Sequence, residues 1–151
     1  MVVHGIGSDI GTQVKNKKGL EIGIDKIIKE NKHFASDYNF VVEIINWKEV
    51  IEKSNMTEKL DRCRIKTQTR ETREVFDYTI PDAIAYMNPR FRANVLKTVV
   101  QKANDIFESF SVAQPRFKGK CSLCCHSLGS VITYDILRRQ NYRNFRDKSW
   151  S

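Results

Sequence analysis

The chain predicts an α/β architecture, a parallel sheet of about three strands with helices on both faces. Three observations carry this expectation. Short apolar runs stand apart from one another at Met1-Val2-Val3, at Asn39 to Trp47 and at Cys121 to Cys125, each with the length or composition of a strand. Segments with apolar residues at helical spacing lie between them, as parallel strands require, and right-handed crossovers dominate such connections. Two of the strands run into glycine-bearing turns, His4-Gly5-Ile6-Gly7 and His126-Ser127-Leu128-Gly129. Loops of this kind meet at the C-terminal edge of a parallel sheet.

The elements follow in order. Met1 to Val3 is the first strand, and Leu20, Ile24, Ile27 and Ile28 recur at helical spacing to about residue 31, despite Gly23, as the first crossover helix. Asn39 to Trp47 (NFVVEIINW) is rich in β-branched and aromatic residues and is the second strand. From Lys48 to Asp77 the chain is polar and charged without a clean period, which predicts a long excursion with one short helix at most. Pro81 opens a short helix to Met87, since proline suits a first helical turn, and Asn88-Pro89 breaks it into a turn. Val95, Leu96, Val99, Val100, Ala103, Ile106, Phe107 and Phe110 form the clearest amphipathic helix, with Lys97, Lys102, Asp105 and Glu108 off the stripe. Packing against the sheet is its expected use. Cys121 to Cys125 is the third, buried strand, and Gly129 to Leu137 begins the last helix.

At 151 residues, 40% hydrophobic and 29% charged, the chain has a single domain's length and a soluble profile. No run of about 18 apolar residues is present to span a bilayer, and the start is not a signal peptide, so a cytoplasmic location is expected. Three of the four cysteines crowd into one strand, which is no disulfide framework. Cys121-x-x-Cys124 is neither a redox pair nor a zinc site, because strand side chains alternate between faces; these cysteines are expected to be buried and inert, with no metal and no cofactor. The net charge of +8 predicts an acidic partner or surface. Basic residues concentrate in Arg62, Arg64, Lys66, Arg70 and Arg73 and again in Arg138, Arg139, Arg143, Arg146 and Lys148. Neither zinc-finger spacing nor an RNP-type aromatic motif accompanies them, so nucleic acid is not expected, whereas anionic lipid headgroups are.

The chemistry centres on Ser127. A strand followed by HSLG and a helix reads as a nucleophile elbow, whose tight turn demands small residues two before and two after the serine. Gly129 meets that demand, and Cys125 replaces the first glycine of the usual G-x-S-x-G pattern. His4-Gly5-Ile6-Gly7 supplies a second arm. Glycines after a strand let backbone N–H groups approach developing negative charge, so Leu128 N–H and that of Ile6 or Gly5 are the candidate oxyanion donors, with His4 ordering the loop.

The strings VVHGIG at residues 2–7, IPDAIAYMNPRF at 80–91 and FKGKCSLCCHSLGSVITYDIL at 117–137 resemble the intracellular phosphatidic-acid-preferring phospholipases, whose longer members carry a DDHD domain. The family usually shows serine or glycine where Cys125 stands. The resemblance implies a partial α/β-hydrolase fold in which the first strand lies between the other two. It also implies hydrolysis of an acyl ester of a glycerophospholipid, preferentially phosphatidic acid, by Ser127 at an anionic membrane surface, with the protein peripherally membrane-associated. Another serine acyl hydrolase, an esterase or thioesterase, and a non-catalytic module binding acidic membranes are the alternatives.

A serine hydroxyl needs a base, which hydrolases of this kind supply from a histidine later in the chain, oriented by an acid. Only fourteen residues follow Leu137, and none is histidine. His126 adjoins the nucleophile and points away from it, and His33 is expected at the surface. The chain therefore reads as a single partial lipase domain over residues 1–151, without the downstream half and the DDHD region. It is expected to be inactive alone, and to self-associate through the open edge of its third strand.

Overall fold

The computed structural model describes residues 1–31, 39–52 and 81–140. Strands β1 (Val2–Val3), β2 (Ile44–Ile45) and β3 (Cys124–Cys125) form a parallel sheet in the order β2-β1-β3. Val2 pairs with Ile44 and Cys124, and Val3 with Ile45 and Cys125. The first strand is thus central, and the fold is a small α/β sheet flanked by helices. The ladder is much shorter than the apolar runs predict. β1 contributes only two residues before the chain turns at His4, and a central strand limits the pairing of both neighbours.

The helices are α1 (Ile10–Glu30), α2 (Glu49–Glu52), α3 (residues 81–87), α4 (Pro89–Ala113) and α5 (Leu128–Arg139). α1 starts well before the stripe that begins at Leu20. Asp9 is its N-cap, and Oδ1 accepts the Thr12 N–H at 2.6 Å. Hydrogen bonding from Thr12 to the charged form lowers the Asp9 carboxyl pKa. Asn88-Pro89 is more than a break. Asn88 Oδ1 accepts the Arg90 N–H at 3.0 Å and Pro89 occupies the first turn, so the residues that end α3 also start α4 at once.

The core joins Val3 and Ile45 of the sheet to Trp47, Ile51, Ala85, Tyr86, Val95, Leu96, Val99 and Ile132. The α4 stripe points into it, as its period predicts. Two cysteines depart from expectation, since Cys121 and Cys124 are exposed and only Cys125 is partly buried. Among the described residues β3 pairs on one side only, and strand alternation aims Cys125 at the core while Cys124 faces out. No helix among the described residues is long and apolar enough to cross a membrane. The segment with Arg62, Cys63, Arg64, Lys66, Arg70 and Arg73, the tail with Arg143, Arg146 and Lys148, and His33 lie outside the described residues.

Candidate active site

The loop leaving β1 is held from several sides. His4 is 6% exposed, and its ring stacks on Trp47 with centroids 4.9 Å apart and planes 11° apart. Trp47 Nε1–H donates to the His4 carbonyl at 2.9 Å. His4 Nδ1 lies 2.8 Å from the Gly5 carbonyl; a carbonyl only accepts, so that contact assigns the proton to Nδ1. Nε2 is buried without a hydrogen-bond partner. Burial lowers the His4 pKa, outweighing the Gly5 carbonyl, the Asn46 side chain and the charge of Asp82, each of which favours the imidazolium. The ring thus contacts the Gly5 carbonyl and Trp47, and no hydrogen bond joins it to Ser127.

Gly7 has φ 70°, in the left-handed region that glycine adopts without strain. Its N–H donates to Asp82 Oδ2 at 3.0 Å. Asp82 is 1% exposed, and Lys48 Nζ stands 3.4 Å from the same oxygen. Gly5 brings the loop against the serine: a Cβ at this position would lie 2.8 Å from Ser127 Cβ and 3.0 Å from His126 Nδ1. No side chain fits there.

Facing this loop is the turn from β3 into α5. Ser127 has φ 53° and ψ −125°, and is the only non-glycine residue with positive φ among the described residues. Such backbone is costly for a side-chain-bearing residue and persists only where its surroundings enforce it. Here the His126 N–H donates to the Val3 carbonyl at 3.1 Å, while Gly129 and Ser130 N–H groups donate to the His126 and Ser127 carbonyls, each at 2.9 Å. Gly129 lets α5 begin directly over β1, since a Cβ there would collide with the Val3 carbonyl and lie 2.6 Å from the His4 carbonyl. Ser127 occupies the N-cap position without a side-chain capping bond and is exposed. Leu128 N–H heads the helix, where N–H groups lack intrahelical acceptors. Cys125 Sγ lies 3.2 Å from Thr133 Oγ1, directed at the helix rather than at the serine.

The structure therefore brings Gly5, Ser127 and His126 together, with Gly129 wedged beneath them and His4 packed behind the loop. His126 is exposed, beside Gly5. A shallow apolar hollow lined by Val99, Ala103, Leu123 and Ile136 among others includes no residue of either turn. Sequence reasoning missed Asp82, Lys48 and Trp47 as supports of the loop. The signal available was a lone carboxylate in the otherwise apolar helical segment PDAIAY, one turn before Ala85 and Tyr86, both buried.

Comparison with known proteins bears on what such a site does. Over 150 aligned residues, 93% of this chain, it is 32% identical to phospholipase DDHD1 of Bos taurus. It is 28% identical to the intracellular phospholipase A1 of Caenorhabditis elegans over 98% of its length. Over 96 residues, 64% of the chain, it is 32% identical to triacylglycerol hydrolase DDHD2 of Homo sapiens. The chain spans 16%, 17% and 13% of these relatives, respectively. No family model matches it, and no solved structure does.

Proposed function

The chain is homologous to the DDHD-type phospholipases over most of its length, and we propose that it is the nucleophile-bearing part of a serine phospholipase. The observation that carries this reading is the backbone of Ser127. A strained, exposed serine between a parallel strand and a helix, packed against a glycine loop from the central strand, is the geometry a nucleophile elbow requires. In the reaction Ser127 Oγ attacks the acyl carbonyl of a glycerophospholipid, with phosphatidic acid the favoured substrate. Leu128 N–H and that of Ile6 or Gly5 receive the charge that develops on the carbonyl oxygen. The acyl group passes to the serine, the lysolipid leaves, and water then releases the fatty acid.

The proton of Ser127 needs an acceptor that these residues do not supply. His4 is neutral but buried and unbonded to the serine, and we assign the base and its orienting acid to parts of the enzyme beyond this chain. The 151-residue chain alone thus has little or no esterase activity, because general acid–base assistance typically contributes about 10² to 10⁴-fold. The net charge of +8 draws the protein from the cytoplasm to anionic membranes, so vesicle binding rises with phosphatidic acid content and falls with salt.

The test is Ser127→Ala in the complete enzyme that carries this sequence: hydrolysis of phosphatidic acid is abolished while vesicle binding persists. Undiminished hydrolysis by that variant sinks the reading, and Ser127-dependent turnover by the isolated chain would move the base to one of its three histidines. The name of the triacylglycerol hydrolase relative favours one second reading, a neutral acylglycerol substrate. A headgroup-resolved assay separates the two.

A further inference from the structure

Helix α3 (residues 81–87) touches both arms of the site through two side chains one turn apart. Asp82 Oδ2 accepts the Gly7 N–H at 3.0 Å, bridging 75 residues of sequence. Tyr86 O–H donates to Asp135 Oδ2 at 2.6 Å, bridging 49 residues and landing on α5, the helix that starts next to Ser127. Residues four apart share a helix face, so one short rigid segment grips the glycine loop with one side chain and the nucleophile helix with the other.

Neither grip is incidental. Asp82 is the only carboxylate among the buried polar residues that are described, and a buried ion pair is rarely a better source of stability than apolar packing in the same volume. What a carboxylate offers there, and a leucine does not, is a directional acceptor for one loop N–H. Tyr86 is 6% exposed. Burial, reinforced by Asp135, raises its pKa, so the phenol stays protonated as a donor.

We propose that Asp82 and Tyr86 are positioning residues that set the spacing between the His4–Gly7 loop and Ser127, and thereby the width of the oxyanion site. The inference rests on reading that loop as an oxyanion arm, since a displacement of about 1 Å in such a site can cost roughly 10²-fold in rate. Its test does not depend on turnover.

In the isolated chain, the proton–proton NOE between Gly5 Hα and Ser127 Hβ reports the gap directly. It weakens severalfold in Tyr86→Phe and is lost in Asp82→Ala, while NOEs between His4 and Trp47 and within the core persist. Should Asp82→Ala not fold, the Lys48→Met/Asp82→Leu pair replaces the ion pair by apolar volume without restoring an acceptor, and the NOE is again lost. Lys48→Met/Asp82→Asn keeps an oxygen for the Gly7 N–H and retains the wild-type NOE. Wild-type intensity in folded Tyr86→Phe and in a folded variant without the Asp82 acceptor overturns the proposal. In the complete enzyme, Lys48→Met/Asp82→Leu lowers kcat by about 10²-fold with KM unchanged. A change confined to KM would also overturn it. Wild-type hydrolysis by Ser127→Ala is a separate outcome, which removes the oxyanion reading without touching the measured gap.

Discussion

The two turns that meet at the sheet edge are built in opposite ways. The loop at His4–Gly7 is held by side chains, with Trp47 stacked on His4 and Asp82 bonded to Gly7, and its residues His4 and Gly5 are buried. The turn at Ser127 itself is held by backbone hydrogen bonds, from the N–H groups of His126, Gly129 and Ser130, with the nearest side-chain grip, Tyr86 on Asp135, two turns along α5, and Ser127 is exposed without a capping bond. The difference suits the roles proposed for each. A loop that presents N–H groups benefits from rigid supports behind it, whereas a nucleophile whose oxygen were tied up as a helix cap would be less available to attack. Backbone strain is therefore concentrated on the serine side, and buried side-chain support on the other.

The largest effect that would sharpen this contrast is expected from the buried pair. Lys48→Ala strands the Asp82 carboxylate at 2% side-chain exposure, and loss of one partner of such a pair typically costs about 3–5 kcal/mol. Urea denaturation checks it, and a loss below about 1 kcal/mol, the level of a solvated surface pair, would mean that the loop is not held by this contact. Gly129→Ala comes next. Its Cβ would collide with the backbone carbonyls of Val3 and His4, which cannot move aside as a flexible side chain could, so a loss of about 2–3 kcal/mol is expected, within the range for overpacking. A neutral result would show that α5 can start elsewhere than over β1.

Acid should act on the loop and spare the elbow. The folded pKa of His4 is lowered from 6.5, so the unfolded chain binds more protons just below that pH. The contribution of His4 is complete above about pH 6.5, is lost as pH falls toward the folded value with a slope of at most about 1.4 kcal/mol per pH unit, and then levels off. His4→Phe, which can keep the stack on Trp47, should flatten that part of the stability–pH curve. An identical slope in the variant would assign the effect to other groups. The smallest expected effect is a gain. Ser127→Gly relieves a backbone conformation costing about 1–3 kcal/mol, partly offset by the entropy of glycine in the unfolded chain at about 0.5–1 kcal/mol, so a net stabilisation near 1 kcal/mol is expected in the same urea experiment. Destabilisation by that change would refute stored strain at the elbow.

Much of this was legible along the chain because it is local. The strand-turn-helix at Ser127 needs a glycine two residues on, and Gly129 stands there. The α4 stripe from Val95 repeats at the period of its own helix. The exposure of Cys121 and Cys124 and the early start of α1 differ from expectation for equally local reasons: an apolar run does not say which face a short edge strand buries, and Asp9 as N-cap lies ahead of the hydrophobic period. The supports of the loop were legible only as an unexplained carboxylate, Asp82, in an apolar segment, without any sign of what it holds. Asp82, Lys48 and Trp47 are separated from His4–Gly7 by dozens of residues, and no spacing rule relates them.

By itself the sequence determined the element types, the two glycine-bearing turns and the serine between strand and helix, since these depend on propensity, periodicity and side-chain size within a few residues. The resemblance carried by those turns already implied that β1 lies between β2 and β3, as it does; only the tertiary structure decided that Gly5 rests directly on Ser127 and that α3 reaches both arms. Those relations depend on which backbones pack within hydrogen-bonding distance after the chain has crossed over, and a buried carboxylate acquires its partner only in that packed state.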